Sequence, residues 1–203
     1  MSMAHVHAET REITATFAIV GPARSGKSAV LRCVFDRIAP ERRGALAPSG
    51  TGPAAGPLLD WLPLDLGLLG GWRVHVHLYA IPLVAHSYAT RRVVLADADG
   101  VLFVSDSQAS RLEDNVVALR DLRDQLAARP DTGRAPVMVY LHNKQDLPAE
   151  LLLSPTALDE AINPDGAPSF ASDALRGLGV LEALHASVTL VMRRLVPRSG
   201  SAA

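Results

Sequence analysis

Residues 21–28, GPARSGKS, have the residue types and the spacing of a loop that binds phosphate. An apolar, β-branched run precedes them and a helical pattern follows, which is the strand–loop–helix context that the G-x-x-x-x-G-K-[ST] pattern needs. The two glycines permit a tight loop whose amides point at phosphate oxygens. Lys27 is expected to reach the β and γ phosphates, and the Ser28 hydroxyl to bind Mg²⁺. The residues predicted to line the phosphates are Gly21, Ala23, Arg24, Ser25, Gly26, Lys27, Ser28 and Ala29.

A second polar segment, NKQD at residues 143–146, follows another apolar run and matches N-K-x-D, the guanine-recognition signature of Ras-like GTPases. The carboxylate of Asp146 can accept hydrogen bonds from guanine N1–H and N2–H, a bidentate charge-assisted pair that adenine does not offer on that edge. Asn143 is expected to hold the loop and the O6/N7 side of the base. The stem of Lys144 is expected to lie over the base. Taken alone, the segment is also compatible with a polar turn after a strand.

The use of lysine links the two segments. Of the 20 basic residues 18 are arginines, and the two lysines, Lys27 and Lys144, stand at the lysine positions of the two patterns. Arginine cannot replace lysine as a compact point charge in a phosphate loop. We interpret this usage as selection for the geometry of lysine, and the two segments together predict one nucleotide-binding site.

Hydrophobic periodicity predicts the elements that must position these segments. Apolar runs that suit buried strands alternate with helical patterns along the chain. Such alternation predicts an α/β fold with a mostly parallel sheet and helices on both faces. Ligands of these sheets lie at the carboxyl ends of the strands. The predicted strands are residues 13–20, 58–66, 73–81, 100–104 and 137–141, and the predicted helices are residues 29–38, 87–96, 111–128, 155–162 and 180–195.

Length and composition restrict the class of protein. The 203 residues suit one domain over residues 1–196, with residues 1–11 as a flexible N-terminus, residues 40–57 as a mobile loop and residues 197–203 as a disordered tail. With 20 basic and 21 acidic residues the formal charge is −1, so charge gives no case for a nucleic-acid partner. One cysteine excludes a disulfide scaffold. No apolar run approaches the ~18 residues of a membrane span, and we expect a cytoplasmic protein without an integral membrane segment.

Several other polar residues have structural interpretations. His75 and His77 fall on one face of a predicted strand, where a solvated surface is expected rather than a metal site. Cys33 is expected in the core, and Asp106 is expected to cap the end of a strand. Asp65 fits a hairpin turn, with a water-mediated contact to Mg²⁺ as the alternative.

Over residues 13–195 the chain resembles the MglA-type bacterial Ras-like GTPases, known from gliding motility and cell polarity. The segments that carry the resemblance are GPARSGKS, DWLPLDLG, HLYAIP, GVLFVSDSQ, HNKQDLP and INPDGAPSF. The resemblance implies a P-loop NTPase fold, a Ras-like three-layer sandwich, and a switch between GTP and GDP forms that partners distinguish. It also implies Mg²⁺ and a roadblock-type regulatory partner that activates hydrolysis. By the same resemblance the amide of Ala174 faces guanine O6, and Leu147 and Leu175 complete the base site.

The chain departs from this family at the groups that hydrolyse GTP. Val84 stands where the second switch carries the glutamine that orients the attacking water, and Leu83 replaces the glycine before it. An ungapped alignment places Ala55 and Gly56 at the arginine–threonine pair of the first switch. Ala23 stands where the phosphate loop of the family has glycine, and its methyl group would crowd the catalytic water.

These departures predict a difference between binding and hydrolysis. An arginine finger is worth roughly 10³–10⁵ in rate, or about 4–7 kcal/mol of barrier, whereas the predicted binding residues are intact. Thr51, Arg42 and Arg43 are the nearby residues that could substitute for the missing pair. We therefore expect a chain that binds guanine nucleotide and hydrolyses GTP very slowly. Two alternatives remain open: an active GTPase whose missing groups a partner supplies, and a nucleotide-free scaffold.

Overall fold

Strands and helices alternate along the chain in the computed structural model, which describes residues 5–49, 59–81, 88–129 and 134–196. The strands are β1 (His5–His7), β2 (Glu12–Val20), β3 (Ala47–Ser49), β4 (Leu59–Leu69), β5 (Trp72–Ala80), β6 (Gly100–Asp106), β7 (Val137–Asn143) and β8 (Ser169–Ala171). The helices are α1 (Lys27–Arg37), α2 (Tyr88–Asp97), α3 (Leu112–Ala127), α4 (Pro155–Ile162) and α5 (Val180–Leu195), with short 3-10 turns at Pro40–Arg42, Ala109–Arg111 and Ala149–Leu151. Within these ranges, no helix has the length and apolar character needed to cross a membrane.

The strands of the described residues form one sheet with the order β3-β4-β5-β2-β6-β7-β8, and β1 pairs with the first residues of β2. Strands β5, β2, β6, β7 and β8 run parallel, whereas β1, β3 and β4 pair antiparallel with their neighbours. The predicted α/β fold with a mostly parallel sheet is therefore confirmed. Because parallel strands end at one edge of a sheet, the loops that follow β2, β6 and β7 meet there.

Helices cover both faces of the sheet, which gives the predicted three-layer sandwich. Along β2, Ile13 and Phe17 face the layer of α1 and α5, while Ala18 and Val20 face the layer of α2, α3 and α4. Cys33 of α1 is buried in the first of these layers, as expected. Strands between two helical layers are buried on both faces, so β6 and β7 are nearly continuous buried runs.

The outer strands β4 and β5 have one fully buried face and one half-buried aromatic face. Trp61 lies edge-on to His77, with ring centroids 5.8 Å apart, and stacks on Tyr79 at 6.4 Å. Burial, and then the charge of His75, lower the pKa of His77. The strand face predicted to be solvated is therefore only partly exposed at His77, because the neighbouring rings cover part of its surface.

Asp65 stabilises the hairpin between β4 and β5, as one of its two predicted roles requires. Its carboxylate accepts a hydrogen bond from the Gly67 amide at 2.8 Å and pairs with Arg73 at 3.3 Å. The register of the hairpin shifts between Asp65 and Gly67, and Gly67 has a left-handed φ of +74°. The carboxylate thus supports the backbone of a bulge, where glycine permits the required φ.

Three short strands lie where the sequence predicts none. Strand β1 falls in the N-terminus predicted to be flexible, β3 in the predicted loop over residues 40–57, and β8 in an unassigned stretch. Each has three residues, too few for a periodic signal, and each is held by backbone hydrogen bonds to a longer neighbouring strand. The predictions of a flexible N-terminus and of an irregular loop are therefore corrected for the residues of β1 and β3. Residues 1–4, 50–58 and the predicted tail over residues 197–203 lie outside the described part of the chain.

Replacing Phe17 with alanine should destabilise the fold strongly. The ring is fully buried, and a Cβ built on Gly100 of the adjacent strand would lie 2.5 Å from it, so no side chain of that strand fills the space. We expect Phe17→Ala to lower the free energy of unfolding by about 3–5 kcal/mol. The control Val117→Ala, at a site 52% exposed on α3, should change it by less than about 0.5 kcal/mol. Urea denaturation measures both, and equal losses would contradict this packing.

Candidate nucleotide-binding site

The loop between β2 and α1 places the predicted phosphate-binding residues at the carboxyl edge of the sheet. It turns through two left-handed residues, Arg24 with φ +65° and Gly26 with φ +104°. Helix α1 begins at Lys27, two residues before the predicted start, so Lys27 and Ser28 lie in its first turn. Gly26, the N-cap, has no side chain to accept from the first-turn amides. Uncapped amides at a helix N-terminus form a site for an anion.

The ammonium group of Lys27 is folded back onto this loop. Its Nζ donates to the Gly21 carbonyl at 3.0 Å and to the Pro22 carbonyl at 2.7 Å. Burial lowers the pKa of Lys27 to about 8, because a partly desolvated ammonium is disfavoured and neutral carbonyl groups do not balance its charge. A bound anion would supply that balancing charge.

Close approach of the backbone explains the two glycines of the loop. A Cβ on Gly21 would lie 2.1 Å from the Val104 carbonyl oxygen, and a Cβ on Gly26 would lie 2.2 Å from Asn143 Nδ2. Neither position can accept a larger residue without moving backbone or the amide of Asn143. Between them Ser25 is fully buried, and its Oγ has no hydrogen-bond partner within the described residues.

The side chain of Asn143 joins three loops. Its Nδ2 donates to the Ser25 carbonyl at 2.8 Å, while its Oδ1 accepts from the Ala174 amide at 3.0 Å and from Ser172 Oγ at 3.4 Å. Only 3% of Asn143 is exposed. The phosphate loop, the N-K-x-D loop and the loop after β8 are therefore held in one arrangement. The Ala174 amide, which the resemblance places at guanine O6, donates to Asn143 in this structure.

A cavity of about 340 Å³ lies between these loops. It brings together all six predicted base-site residues with the end of the phosphate loop. Gln108 and Asp173 also line it, although neither was among the predicted site residues. The lining residues are Gly26, Ala29, Gln108, Asn143, Lys144, Asp146, Leu147, Asp173, Ala174 and Leu175. The other predicted phosphate-loop residues, Gly21, Ala23, Arg24, Ser25, Lys27 and Ser28, do not line this cavity. Of these, Ala23, Arg24 and Ser28 are exposed.

An ion pair that sequence reasoning missed holds Lys144. Its Nζ lies 2.6 Å from Asp106 Oδ2, and Asp106 is fully buried at the end of β6. Asp106 also accepts from the Gln108 amide at 3.2 Å, so the predicted capping role is present beside the ion pair. The backbone of Lys144 is left-handed, with φ +73°. A lysine in this conformation depends on its surroundings to hold it.

A buried histidine supports the N-K-x-D loop from behind. His142 is fully buried, with Nδ1 2.8 Å from Ser105 Oγ and Nε2 3.1 Å from Asp159 Oδ1. Burial lowers the pKa of His142, and the hydrogen bond and charge of Asp159 offset this only in part. Burial would raise the pKa of Asp159, but hydrogen bonds from Ser169, Asn163 and His142 outweigh it and leave that pKa lowered. The network fixes the residue directly before Asn143.

The residues that the sequence assigns to the two switches fall outside the described part of the chain. These are Thr51, Ala55, Gly56, Leu83 and Val84. These five positions are therefore compared with the family pattern by sequence alone.

Arg42 and Arg43, the arginines that could substitute for the missing arginine of the first switch, make their contacts away from the phosphate loop. Arg42 donates to the Leu66 carbonyl at 3.3 Å, and Leu66 lies six residues along β4 from Asp60. Asp60 lies at the end of β4 that is nearer to the phosphate loop. At about 3.3 Å per residue, the Leu66 carbonyl is ~20 Å from that end of the strand. The guanidinium of Arg43 lies over the Phe35 ring at 3.5 Å and donates to the Ile38 carbonyl at 2.9 Å. In this structure neither arginine serves the phosphate loop.

The comparisons with known proteins agree with this geometry. No family model matches the chain. Over 194 residues the chain is 32% identical to the mutual gliding-motility protein MglA of Myxococcus xanthus (strain DK1622), covering 95% of this chain and 98% of that protein. The chain belongs to the MglA family of Ras-like small GTPases. The resemblance drawn from the motifs is thereby confirmed, and the match extends over almost the full length of the MglA relative, beyond the two nucleotide motifs.

The lowered pKa of Lys27 predicts how nucleotide affinity depends on pH in this MglA-type site. Below pH 8 the ammonium is charged and balances a phosphate, whereas above pH 8 binding must first restore the proton. Affinity for GDP should therefore fall between pH 7 and 9, by up to about tenfold per unit above pH 8. Calorimetric binding measurements on the unmodified chain and on Lys27→Met test this. Protonation of GDP itself affects both proteins equally, so the difference between the two pH profiles reports on Lys27. A parallel pH profile for the two proteins would contradict the assignment.

Proposed function

We propose that this chain is a guanine-nucleotide-binding switch of the MglA type that hydrolyses GTP very slowly by itself. The observation that carries the proposal is the contact of Asn143 with the Ser25 carbonyl, because it sets the N-K-x-D loop against the phosphate loop around one cavity. A nucleotide needs both loops at once. A cation and backbone amides bind its phosphates, and a hydrogen-bond acceptor binds its base. Family membership supports the same function.

The binding residues divide into two groups. Lys27, with the uncapped amides of α1, takes the phosphates, since its ammonium has only carbonyl partners in the described structure. Asp146 takes the N1–H and N2–H groups of guanine, and Lys144 lies beside it in the cavity lining. Selectivity for guanine over adenine then rests on the carboxylate of Asp146.

Magnesium fits the oxygen of Ser28. This residue follows Lys27 in the first turn of α1 and is exposed, so its hydroxyl can reach a ligand at the phosphate loop. Among the described residues no group of three His, Cys, Asp or Glu is placed to hold a metal ion, so the remaining ligands would be phosphate oxygens and water, as is usual for Mg²⁺. When bound, the ion would neutralise charge on the β and γ phosphates.

Slow hydrolysis follows from the residue types at the switch positions. Val84 cannot hydrogen-bond a water, and Ala55 offers no cation. Losing an arginine finger alone costs about 4–7 kcal/mol of barrier. Binding depends on other residues, so affinity and hydrolysis separate. A roadblock-type partner is proposed by family resemblance as the protein that distinguishes the nucleotide states or supplies the missing groups.

Asp146→Asn should reduce the preference for guanine. The amide that replaces the carboxylate keeps one acceptor atom and loses the charge, so we expect the Kd for GDP to rise about tenfold to hundredfold. The Kd for ADP should stay nearly unchanged. Asp124→Asn, an exposed change on α3, is the matched control. Fluorescent-nucleotide titration measures each, and a preference of the unmodified chain for ATP over GTP would refute the role of Asp146.

Incubation with GTP and Mg²⁺ for hours should leave GTP in the site. The protein is then denatured and the released nucleotide identified by chromatography. Recovered GTP supports a long-lived bound state, as the missing glutamine and arginine require. Recovered GDP would show a working GTPase, and an empty site would show a scaffold that retains only the fold. Lys27→Ala, which removes the phosphate cation, should release much less nucleotide than the unmodified chain.

A further inference from the structure

Arg111 reaches the outer side of the phosphate loop from the 3-10 turn before α3. Its Nη2 donates to the Ala23 carbonyl at 3.1 Å, and its Nη1 pairs with Asp114 at 2.6 Å. Its Nε lies 3.9 Å from Asp106 Oδ2. One third of the side chain, 33%, is exposed. The guanidinium therefore lies among three acceptors, and one of them belongs to the loop that is proposed to hold phosphate.

The carboxylate of Asp106 is shared by two cations from different sides of the site. The oxygen near Arg111 is the same Oδ2 that lies 2.6 Å from Lys144 Nζ. Asn115 fixes the Asp106 backbone, donating to its carbonyl at 2.8 Å and accepting from its amide at 2.9 Å. A fully buried carboxylate is costly unless it is paired and hydrogen-bonded. Asp106 is thus held in place, and one of its carboxylate oxygens faces both cations.

We propose that Arg111 is a positioning residue for the phosphate loop, and that Asp106 couples it to Lys144 so that recognition of base and of phosphate support each other. The inference rests on the proposed nucleotide binding. The chain of contacts runs from the Ala23 carbonyl through Arg111 and Asp106 to Lys144. A base against Lys144 restrains Asp106, Asp106 restrains Arg111, and Arg111 restrains the loop.

The charges of this cluster separate the role of Arg111 from that of a phosphate ligand. Arg111 and Lys144 carry two positive charges, and Asp106 and Asp114 carry two negative charges within 4 Å of them. The cluster is neutral, and the donors of Arg111 are already directed at protein oxygens. Its effect on a nucleotide must therefore pass through the loop backbone at Ala23, and no direct contact with phosphate is invoked.

The test separates the nucleotide into its two halves, guanosine and pyrophosphate, and titrates each into the full chain by NMR. Arg111→Met keeps the length of the side chain and removes its donors. If base and phosphate recognition are coupled, Arg111→Met weakens the binding of pyrophosphate and also that of guanosine, which binds at the opposite end of the site from Ala23. Each affinity should fall by about twofold to thirtyfold. Lys144→Met should conversely weaken pyrophosphate binding. Arg123→Met, which removes an arginine of α3 that pairs with Asp165 at 2.6 Å, should change neither.

The outcomes are distinct. A loss confined to pyrophosphate in Arg111→Met would overturn the coupling, since a purely local support of the loop does not reach the base. Unchanged binding of both halves would overturn the role of Arg111 altogether. Failure of the unmodified chain to bind GDP would overturn the proposed function and this inference together. Arg111→Lys, which keeps the charge but not the forked donors, should show a smaller loss of both halves and serves if Arg111→Met does not fold.

Discussion

The side-chain amide of Asn143 makes the contact on which the site depends. It is almost fully buried, donates to the phosphate loop at Ser25 and accepts from the loop after β8 at Ala174. A buried amide left without partners would cost about 1–3 kcal/mol per group, so the three loops are stable together rather than separately. The two glycines of the phosphate loop allow this, because a Cβ on Gly26 would displace the Asn143 amide. The sheet brings the loops to one edge, and this side chain sets their distance.

The interior behind this edge is unusually polar for the end of a central sheet. Ser105, Asp106 and His142 are fully buried at the ends of β6 and β7. Each has partners: Asp106 pairs with Lys144, and His142 lies between Ser105 and Asp159. Satisfied polar networks hold side chains in specific positions, whereas an apolar core would allow several. The polar strand ends therefore give the loops a defined arrangement before a ligand arrives.

In the proposed function, binding and hydrolysis depend on different parts of this molecule. Lys27, Asn143 and Asp146 stand at the carboxyl edge of the sheet, where hydrogen bonds to the backbone hold Lys27 and Asn143. The positions of the family's glutamine and arginine belong to segments that only the sequence describes, and they carry Val84 and Ala55. The proposed slow hydrolysis depends on these substitutions, whereas the proposed nucleotide recognition depends on the edge of the sheet.

Local patterns of residue types and periodic apolar signals were enough to predict the G-x-x-x-x-G-K-[ST] loop, the N-K-x-D loop, the order of the long elements and the family. They did not predict β1, β3 and β8, whose three residues are ordered by pairing with longer strands. The ion pair of Asp106 with Lys144 joins residues 38 apart in the chain, and the contact of Arg111 with Ala23 joins residues 88 apart. Such contacts leave no spacing signal, since they arise only when parallel strands end side by side, and tertiary structure alone decides them.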